Sequence, residues 1–316
     1  MENKKPKNID VAIFVTLGDI LMITPIISLI KKTYPDSTIR VHTNTAYVPL
    51  LENNPDISTI IESASYADVY RYQYHHEGGT IVPLGMANRY DTLWHHTPET
   101  RNRSMIDWYY SRTKLTLPPL TDRKVRLYLT DSDRAKAQQI MADNQLEPDK
   151  FVVIHTTSRV PSKDWPIEKF AQLDTWFSNN KIARTVQVGM KEDSTFEADV
   201  DLLGQLSIKE VVALAENAAL FIGCDSGPTW AVSSIDIPMI VIMGATTNTP
   251  MESNQKGPFV GPVGNNITYI EPLRIKCATC NPIPCYNHCQ IKNPCINSID
   301  VEQVIKTIME KTKLGK

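Results

Sequence analysis

The chain has 316 residues, of which 42% are hydrophobic and 22% charged, and its formal net charge is -2. That is ordinary globular composition for about two domains, with no basic field to recruit nucleic acid. The apolar runs are too short to span a bilayer. The start M-E-N-K-K-P-K lacks the apolar region of a secretory signal, so a cytoplasmic protein is expected, with at most peripheral contact at the inner face of the cell membrane. Ile9 to Val15 is β-branched with little alternation, the pattern of a buried parallel strand. Thr16 to Asp19 forms a turn. Ile20 to Thr33 reads as a helix with Ile20, Ile23, Ile27 and Ile30 on one face, and Pro25 moves its true start toward Thr24. Strand Thr38 to His42, short helix Tyr47 to Asn53 and strand Ile57 to Ile61 follow. This βαβαβ order predicts a doubly wound parallel sheet.

From Ala64 to Tyr110 the pattern loosens. Aromatic residues and histidines crowd together with Arg71, Arg89, Arg101 and Arg103. Such a mixture suits a polar ligand, because aromatics stack on sugar faces and arginine forks grip carboxylate or phosphate. The plain alternative is a half-buried loop region that binds nothing. Val125 to Leu129 reads as a strand, and Asp131 to Asn144 as an exposed helix close to a domain boundary.

A second α/β half opens with the strand Phe151 to Ile154. The loop from His155 to Asp164 carries Thr156, Thr157, Ser158 and Lys163 ahead of a helix that starts at Trp165-Pro166. Hydroxyl donors, a cation and a helix amino end converge there, which suits anionic oxygens. Ala183 to Val188 is a strand, and Ser207 to Glu210 has capping-box spacing for the next helix. The segment Leu220 to Thr246 then reads strand, loop, helix, strand, loop. Asp225, Ser226 and the amides after Gly227 fall at a strand's carboxyl end and a helix's amino end. That position either contacts a ligand or simply caps the helix.

Five of the six cysteines lie between Cys277 and Cys295. Cys277, Cys280, Cys285 and Cys289 could hold structural zinc or iron, with free thiols or a disulfide as alternatives. A helix from Val301 to Lys311, with Val304, Ile305 and Ile308 on one face, closes the chain.

Several separated stretches together resemble glycosyltransferase family 9, the ADP-heptose–lipopolysaccharide heptosyltransferases. They are G-D-I-L-M-I-T-P at Gly18 to Pro25, Lys163-Asp164-Trp165-Pro166, G-C-D-S-G-P at Gly223 to Pro228, Gly244-Ala245-Thr246 and the late C-x2-C. The resemblance implies an α/β GT-B fold, two Rossmann-like doubly wound parallel-sheet domains facing across a cleft. Residues 1–145 would form the acceptor-side domain. Residues 146–298 would bind the nucleotide sugar and include the Cys-rich segment 277–295, and residues 299–316 would form a closing helix that packs back on the first domain.

It also implies inverting transfer that needs no metal or other cofactor for its chemistry. Heptose from ADP-heptose is the default donor. The acceptor would be a hydroxyl of a surface glycan, a lipopolysaccharide core or other glycolipid, or a protein. Asp19 matches the family's general base, Lys163 the cation at the donor diphosphate, and Asp225 the donor-sugar contact. Gly18, Thr156, Thr157, Ser158, Ser226, Gly227, Thr229 and Thr246 complete the expected donor site. Arg71, Arg101 and Arg103 are the expected acceptor contacts. Some relatives that glycosylate proteins hold iron at such cysteines. One departure stands out, since Trp230 occupies a position where the family often has histidine. The alternatives weighed are a nucleotide-sugar epimerase of the same architecture and a non-catalytic module that senses a sugar nucleotide or metal.

Overall fold

A computed structural model describes residues 7–75, 80–83, 109–110, 113, 115–116, 119–244, 261–272 and 294–315. The described residues fall into two compact units, one ending at Tyr128 and the other beginning at Leu129.

In the first unit, β1 (Asn8–Ala12), β2 (Thr38–Thr43), β3 (Thr59–Glu62) and β4 (Thr80–Pro83) form one sheet in the order β3-β2-β1-β4. All three of these pairings are parallel, with Ile9 opposite Ile39 and Val11 opposite Val41. The helix expected from Ile20 to Thr33 is two helices, Leu17–Met22 and Thr24–Thr33. Pro25 sits in the first turn of the second, and the Thr24 hydroxyl donates to the Leu21 carbonyl at 2.7 Å. The break therefore follows from the proline's missing N–H and its fixed φ.

The helix Tyr66–His75 and strand β4 occupy the stretch whose composition hid them. The segment expected as a strand from Val125 to Leu129 runs extended but joins no sheet. The Arg126 amide donates to the Thr24 hydroxyl at 2.8 Å and its guanidinium to the Ser28 hydroxyl at 2.8 Å, which ties this segment to the helix Thr24–Thr33.

One face of this sheet buries charge. Asp10 lies opposite Arg40 in the register, and Ala12 opposite His42, so their side chains share a face. The Arg40 guanidinium donates to both Asp10 oxygens, at 2.8 and 2.6 Å. His42 Nε2 lies 2.9 Å from Asp10, and Gln73 from the helix Tyr66–His75 donates to it at 2.7 Å. Burial alone would push the Asp10 carboxyl upward. The hydrogen bonds from His42, Arg40 and Gln73 outweigh burial and hold it below its ordinary value.

In the second unit, β5 (Phe151–His155), β6 (Arg184–Gln187), β7 (Val200–Asp201), β8 (Leu220–Cys224), β9 (Met239–Ile242) and β10 (Ile267–Ile270) form a parallel sheet in the order β10-β9-β8-β5-β6-β7. The capping box at Ser207 forms as its spacing predicts. The Ser207 amide donates to Glu210 at 2.7 Å, and the Glu210 amide donates back to the Ser207 hydroxyl at 3.3 Å. The helix Asp131–Asp143 packs on the helix Ile208–Ala215 and groups with this unit, whereas the sequence boundary at 145 sets it before the second domain. The closing helix Val301–Lys311 packs on the helix Ile167–Asn179, burying Val304 and Ile308 in a core with Trp165, Phe170 and Phe177. The Trp165 indole donates to the Ile299 carbonyl at 2.9 Å, which fixes the entry to that helix.

The buried Asp10 group yields a stability prediction. Asp10→Asn leaves Arg40 without its counter-charge and should cost about 3–5 kcal/mol at neutral pH, read by urea unfolding. The folded carboxyl titrates below the unfolded one. Its contribution is therefore complete above about pH 4 and is lost as pH falls through the folded value. The gap between wild type and Asp10→Asn should accordingly close below about pH 4.

Candidate active site

Parallel pairing of β5 with β8 sets His155 opposite Gly223, so the loops after both strands leave the same edge of the sheet side by side. After β5 the chain makes a short turn at Pro161–Lys163. After β8 it turns through Asp225 and Ser226 into the helix Gly227–Val232, with Pro228 in its first turn. The Lys163 ammonium donates to Asp225 Oδ2 at 2.7 Å, and the two side chains are only 8% and 3% exposed. The Trp230 indole donates to Asp225 Oδ1 at 3.2 Å, so both carboxylate oxygens are held.

Gly244, at the end of β9, has no room for a side chain. A Cβ there would stand 2.3 Å from the Ser162 carbonyl and 3.2 Å from Ile296. The residue next to Lys163 thus rests directly on the backbone of Gly244.

Hydroxyls fill the rest of this edge. Thr156 donates to the Ser194 carbonyl at 2.6 Å, and Thr157 accepts from the Ser194 amide at 2.9 Å. The Ser158 hydroxyl donates to the Val160 carbonyl at 2.8 Å, and its amide donates to Asp164 at 2.6 Å. Burial pushes the Asp164 carboxyl upward against that bond. The Thr229 hydroxyl donates to the Cys224 carbonyl at 2.6 Å and lies 3.2 Å from Ser226 Oγ. Its single hydrogen is thereby committed, so in the pair with Ser226 it accepts. The Ser226 hydroxyl then donates to Thr229 and accepts from His155 Nδ1, 3.0 Å away, which places a proton on Nδ1.

His155 Nε2 faces the Asp193 carboxylate at 3.5 Å. Burial pushes the Asp193 carboxyl up, but His155 and the Met190 amide more than offset it and leave it below its ordinary value. Ser226 occupies the N-cap position without making a side-chain cap bond. The hydroxyl is engaged with His155 and Thr229 instead. The Cys224 thiol is fully buried, and burial raises it above the ordinary thiol range, so it stays protonated.

In the first unit, Asp19 sits in the third position of the helix Leu17–Met22, after the turn that leaves β1. It is 9% exposed. Its Oδ2 accepts the Thr16 amide at 3.1 Å and the Thr16 hydroxyl at 2.5 Å, the helix-capping arrangement. Its Oδ1 accepts the Tyr109 phenol at 2.7 Å. One oxygen caps the helix and the other faces a buried tyrosine. Gly18 precedes it within the same turn and is buried.

Arg71 projects from the helix Tyr66–His75, 70% exposed, and pairs with Asp68 at 2.9 Å. Arg101, Arg103, Thr246, Cys277, Cys280, Cys285 and Cys289 lie outside the described residues. Among the described residues, no group of three or more histidine, cysteine or acidic side chains stands where it could hold a metal ion, and no helix is long and apolar enough to cross a membrane. Sequence reading missed His155, Asp193, the Tyr109 partner of Asp19 and the direct pairing of Lys163 with Asp225. Their contacts span 38 to 90 positions, and no local motif marks them.

The profile of Glycosyltransferase family 9 (heptosyltransferase) matches residues 110–290, more than half of the chain. The lipopolysaccharide heptosyltransferase 3 of Escherichia coli is 24% identical over 293 residues, covering 72% of this chain and 81% of that protein. A glycosyl transferase family 9 protein from Veillonella parvula superposes with a TM-score of 0.74 at 21% identity, covering 97% of each chain. The ADP-heptose lps heptosyltransferase II of E. coli gives 0.68 at 14% identity, covering 95% of this chain and 97% of that one. The iron-containing dodecameric glycosyltransferase TibC of enterotoxigenic E. coli gives 0.67 at 16%, covering 98% of this chain and 77% of that one. These likenesses place both parallel-sheet units in the GT-B type of α/β fold.

Two substitutions probe how this edge is held. Trp230→Phe keeps a buried ring but removes the indole N–H, and the loss of a donor to Asp225 should cost about 1–3 kcal/mol in urea unfolding. Gly244→Ala must push Ser162 aside and should cost about 1–3 kcal/mol of stability, measured in the same way.

Proposed function

The chain belongs to glycosyltransferase family 9, and from that membership we propose that it transfers heptose from ADP-heptose to a sugar hydroxyl of a lipopolysaccharide core or related surface glycan, with inversion at the anomeric carbon. The observation that carries the reading is the buried Lys163–Asp225 pair at the adjoining carboxyl ends of β5 and β8. Ligands of open α/β sheets bind at such strand ends. Lys163 supplies the positive charge that a leaving diphosphate requires, and Thr157, Ser158, Ser226 and Thr229 lie on the same strand-end loops. Asp225, held on both oxygens, reads a hydroxyl of the donor sugar. Thr246 and the exposed Arg71, together with Arg101 and Arg103, remain assigned to donor and acceptor contact by their place in the sequence.

The chemistry is a single displacement. The acceptor oxygen forms a bond to the anomeric carbon as the bond from that carbon to the diphosphate oxygen breaks. The acceptor's proton passes to Asp19, and ADP departs. General-base assistance is worth about 100- to 10,000-fold. Charge on the leaving group is met by protein groups, so transfer proceeds without a divalent metal at the diphosphate. Two of the E. coli relatives are by name a lipopolysaccharide heptosyltransferase and an ADP-heptose lps heptosyltransferase, which supports both the donor and the acceptor class. Such work suits an enzyme at the inner face of the cell membrane.

Calorimetry with ADP, UDP, GDP, CMP and ADP-heptose tests the donor. Selective binding of ADP and ADP-heptose is expected, and preference for another nucleotide would overturn the donor. Turnover of ADP-heptose, followed as ADP release with a lipopolysaccharide core acceptor, should persist in EDTA. Asp19→Asn should lower kcat by about 100-fold or more while ADP binding stays within about twofold. Normal turnover by that variant would remove Asp19 from the base role.

A further inference from the structure

Asp19 differs from the other buried carboxylates in what surrounds it. Among the described residues, no cation pairs with it. Its partners are the Thr16 amide and hydroxyl on Oδ2 and the Tyr109 phenol on Oδ1. A carboxylate oxygen offers about two lone-pair sites. Two donors occupy Oδ2, whereas Oδ1 has one, so the remaining acceptor site of the carboxylate lies on the oxygen that Tyr109 holds. Tyr109 is fully buried. It lies just before the segment 110–290 that the family profile matches.

Resting on the reading of Asp19 as general base, we infer that Tyr109 is its positioning residue: the phenol holds the Asp19 carboxylate in one rotamer and aims Oδ1 at the acceptor hydroxyl. The proton accepted during transfer forms a bond to Oδ1, while the phenol keeps its own. Burial first, and then the neighbouring Asp19 charge, push the Tyr109 phenol well above its ordinary value, so it remains a donor throughout the working range. Among the described residues, Tyr66 also acts on this phenol; its ring stands edge-on to Phe14 and its hydroxyl donates to the Ala12 carbonyl at 3.4 Å. No proton transfer is assigned to it. A directional donor on one carboxylate oxygen holds the side chain in one rotamer. A tyrosine serving only as core packing would not.

The test reads the Asp19 carboxyl and turnover side by side. Protein labelled with 13C at aspartate carboxyl carbons is examined by NMR at one neutral pH, and the Asp19 resonance is identified by its loss in Asp19→Asn. Loss of the phenol donor in Tyr109→Phe should shift that resonance. Site-specific 3-fluorotyrosine at position 109 keeps the ring and hydroxyl but donates more strongly, and it should shift the resonance the opposite way. Tyr109→Phe should lower kcat for ADP release from ADP-heptose by about tenfold while KM for ADP-heptose stays within about twofold. If Tyr109→Phe does not fold, the fluorinated protein decides alone. An unmoved resonance and unchanged kcat, with Asp19→Asn inactive, would overturn the role of Tyr109 and leave the base intact. Normal turnover by Asp19→Asn would overturn the base, and the positioning role with it.

Discussion

Every strand pairing described in either unit is parallel, and this constraint governs where chemistry can be built. A parallel ladder forces each connection to cross back over the sheet, and it brings the carboxyl ends of the strands to one edge. Strands covered on both faces become apolar runs, as β5 and β8 are, with every residue buried. Polar side chains are then left for the loops at the strand ends. That is where Thr156, Lys163, Asp225 and Ser226 gather, although up to 70 positions separate them in the chain.

Burial makes each carboxylate a problem to be solved, whether within a strand or at its end, and the three solutions differ. Asp10 is met by a guanidinium, an imidazole and an amide, so its charge is neutralised and locked between two strands and a helix. Asp225 is met by one cation and one indole. Asp19 is met by an amide, a hydroxyl and a phenol, donors that stabilise the anion without cancelling it. A carboxylate paired with arginine is a poor proton acceptor, because the pair itself favours ionisation. The neutral partners of Asp19 are what a base requires.

How much of this could be read from sequence depended on the range of the interaction that decided each element. β1, β2, β5, β8 and β9 announced themselves as short β-branched runs, and the capping box at Ser207 as a four-residue motif. Such signals are local. The helix Tyr66–His75 was hidden because its Y-x-x-x-Y-x-Y-x-Y pattern is aromatic and polar, with Val69 as its fully buried aliphatic residue. β10, only four residues long, was masked by the turn-rich chain before it. The strand expected after Lys124 failed because its Arg126 amide found a side-chain partner on a helix instead of a ladder. Of the proposed site residues, motifs marked Asp19, Lys163 and Asp225. Nothing local could join Asp19 to Tyr109, or His155 to Ser226 and Asp193, since these contacts exist only once the sheet has brought distant loops together.

Trp230 shows why a departure from a family pattern needs a structure before it can be interpreted. From sequence, the exchange of an imidazole for a large indole looks like the loss of a ligand contact. In the folded chain the indole is 2% exposed, and its N–H reaches Asp225. An indole has one donor and no acceptor, so it can hold a carboxylate but cannot accept a hydroxyl proton from a sugar. Lys163 fixes the other oxygen, and the carboxylate plane is set before any donor arrives. Preorganisation of this kind costs nothing at the moment of binding. The substitution therefore bears first on the orientation of Asp225 and, on the proposed role of that residue, through its orientation on which sugar hydroxyl the aspartate can meet.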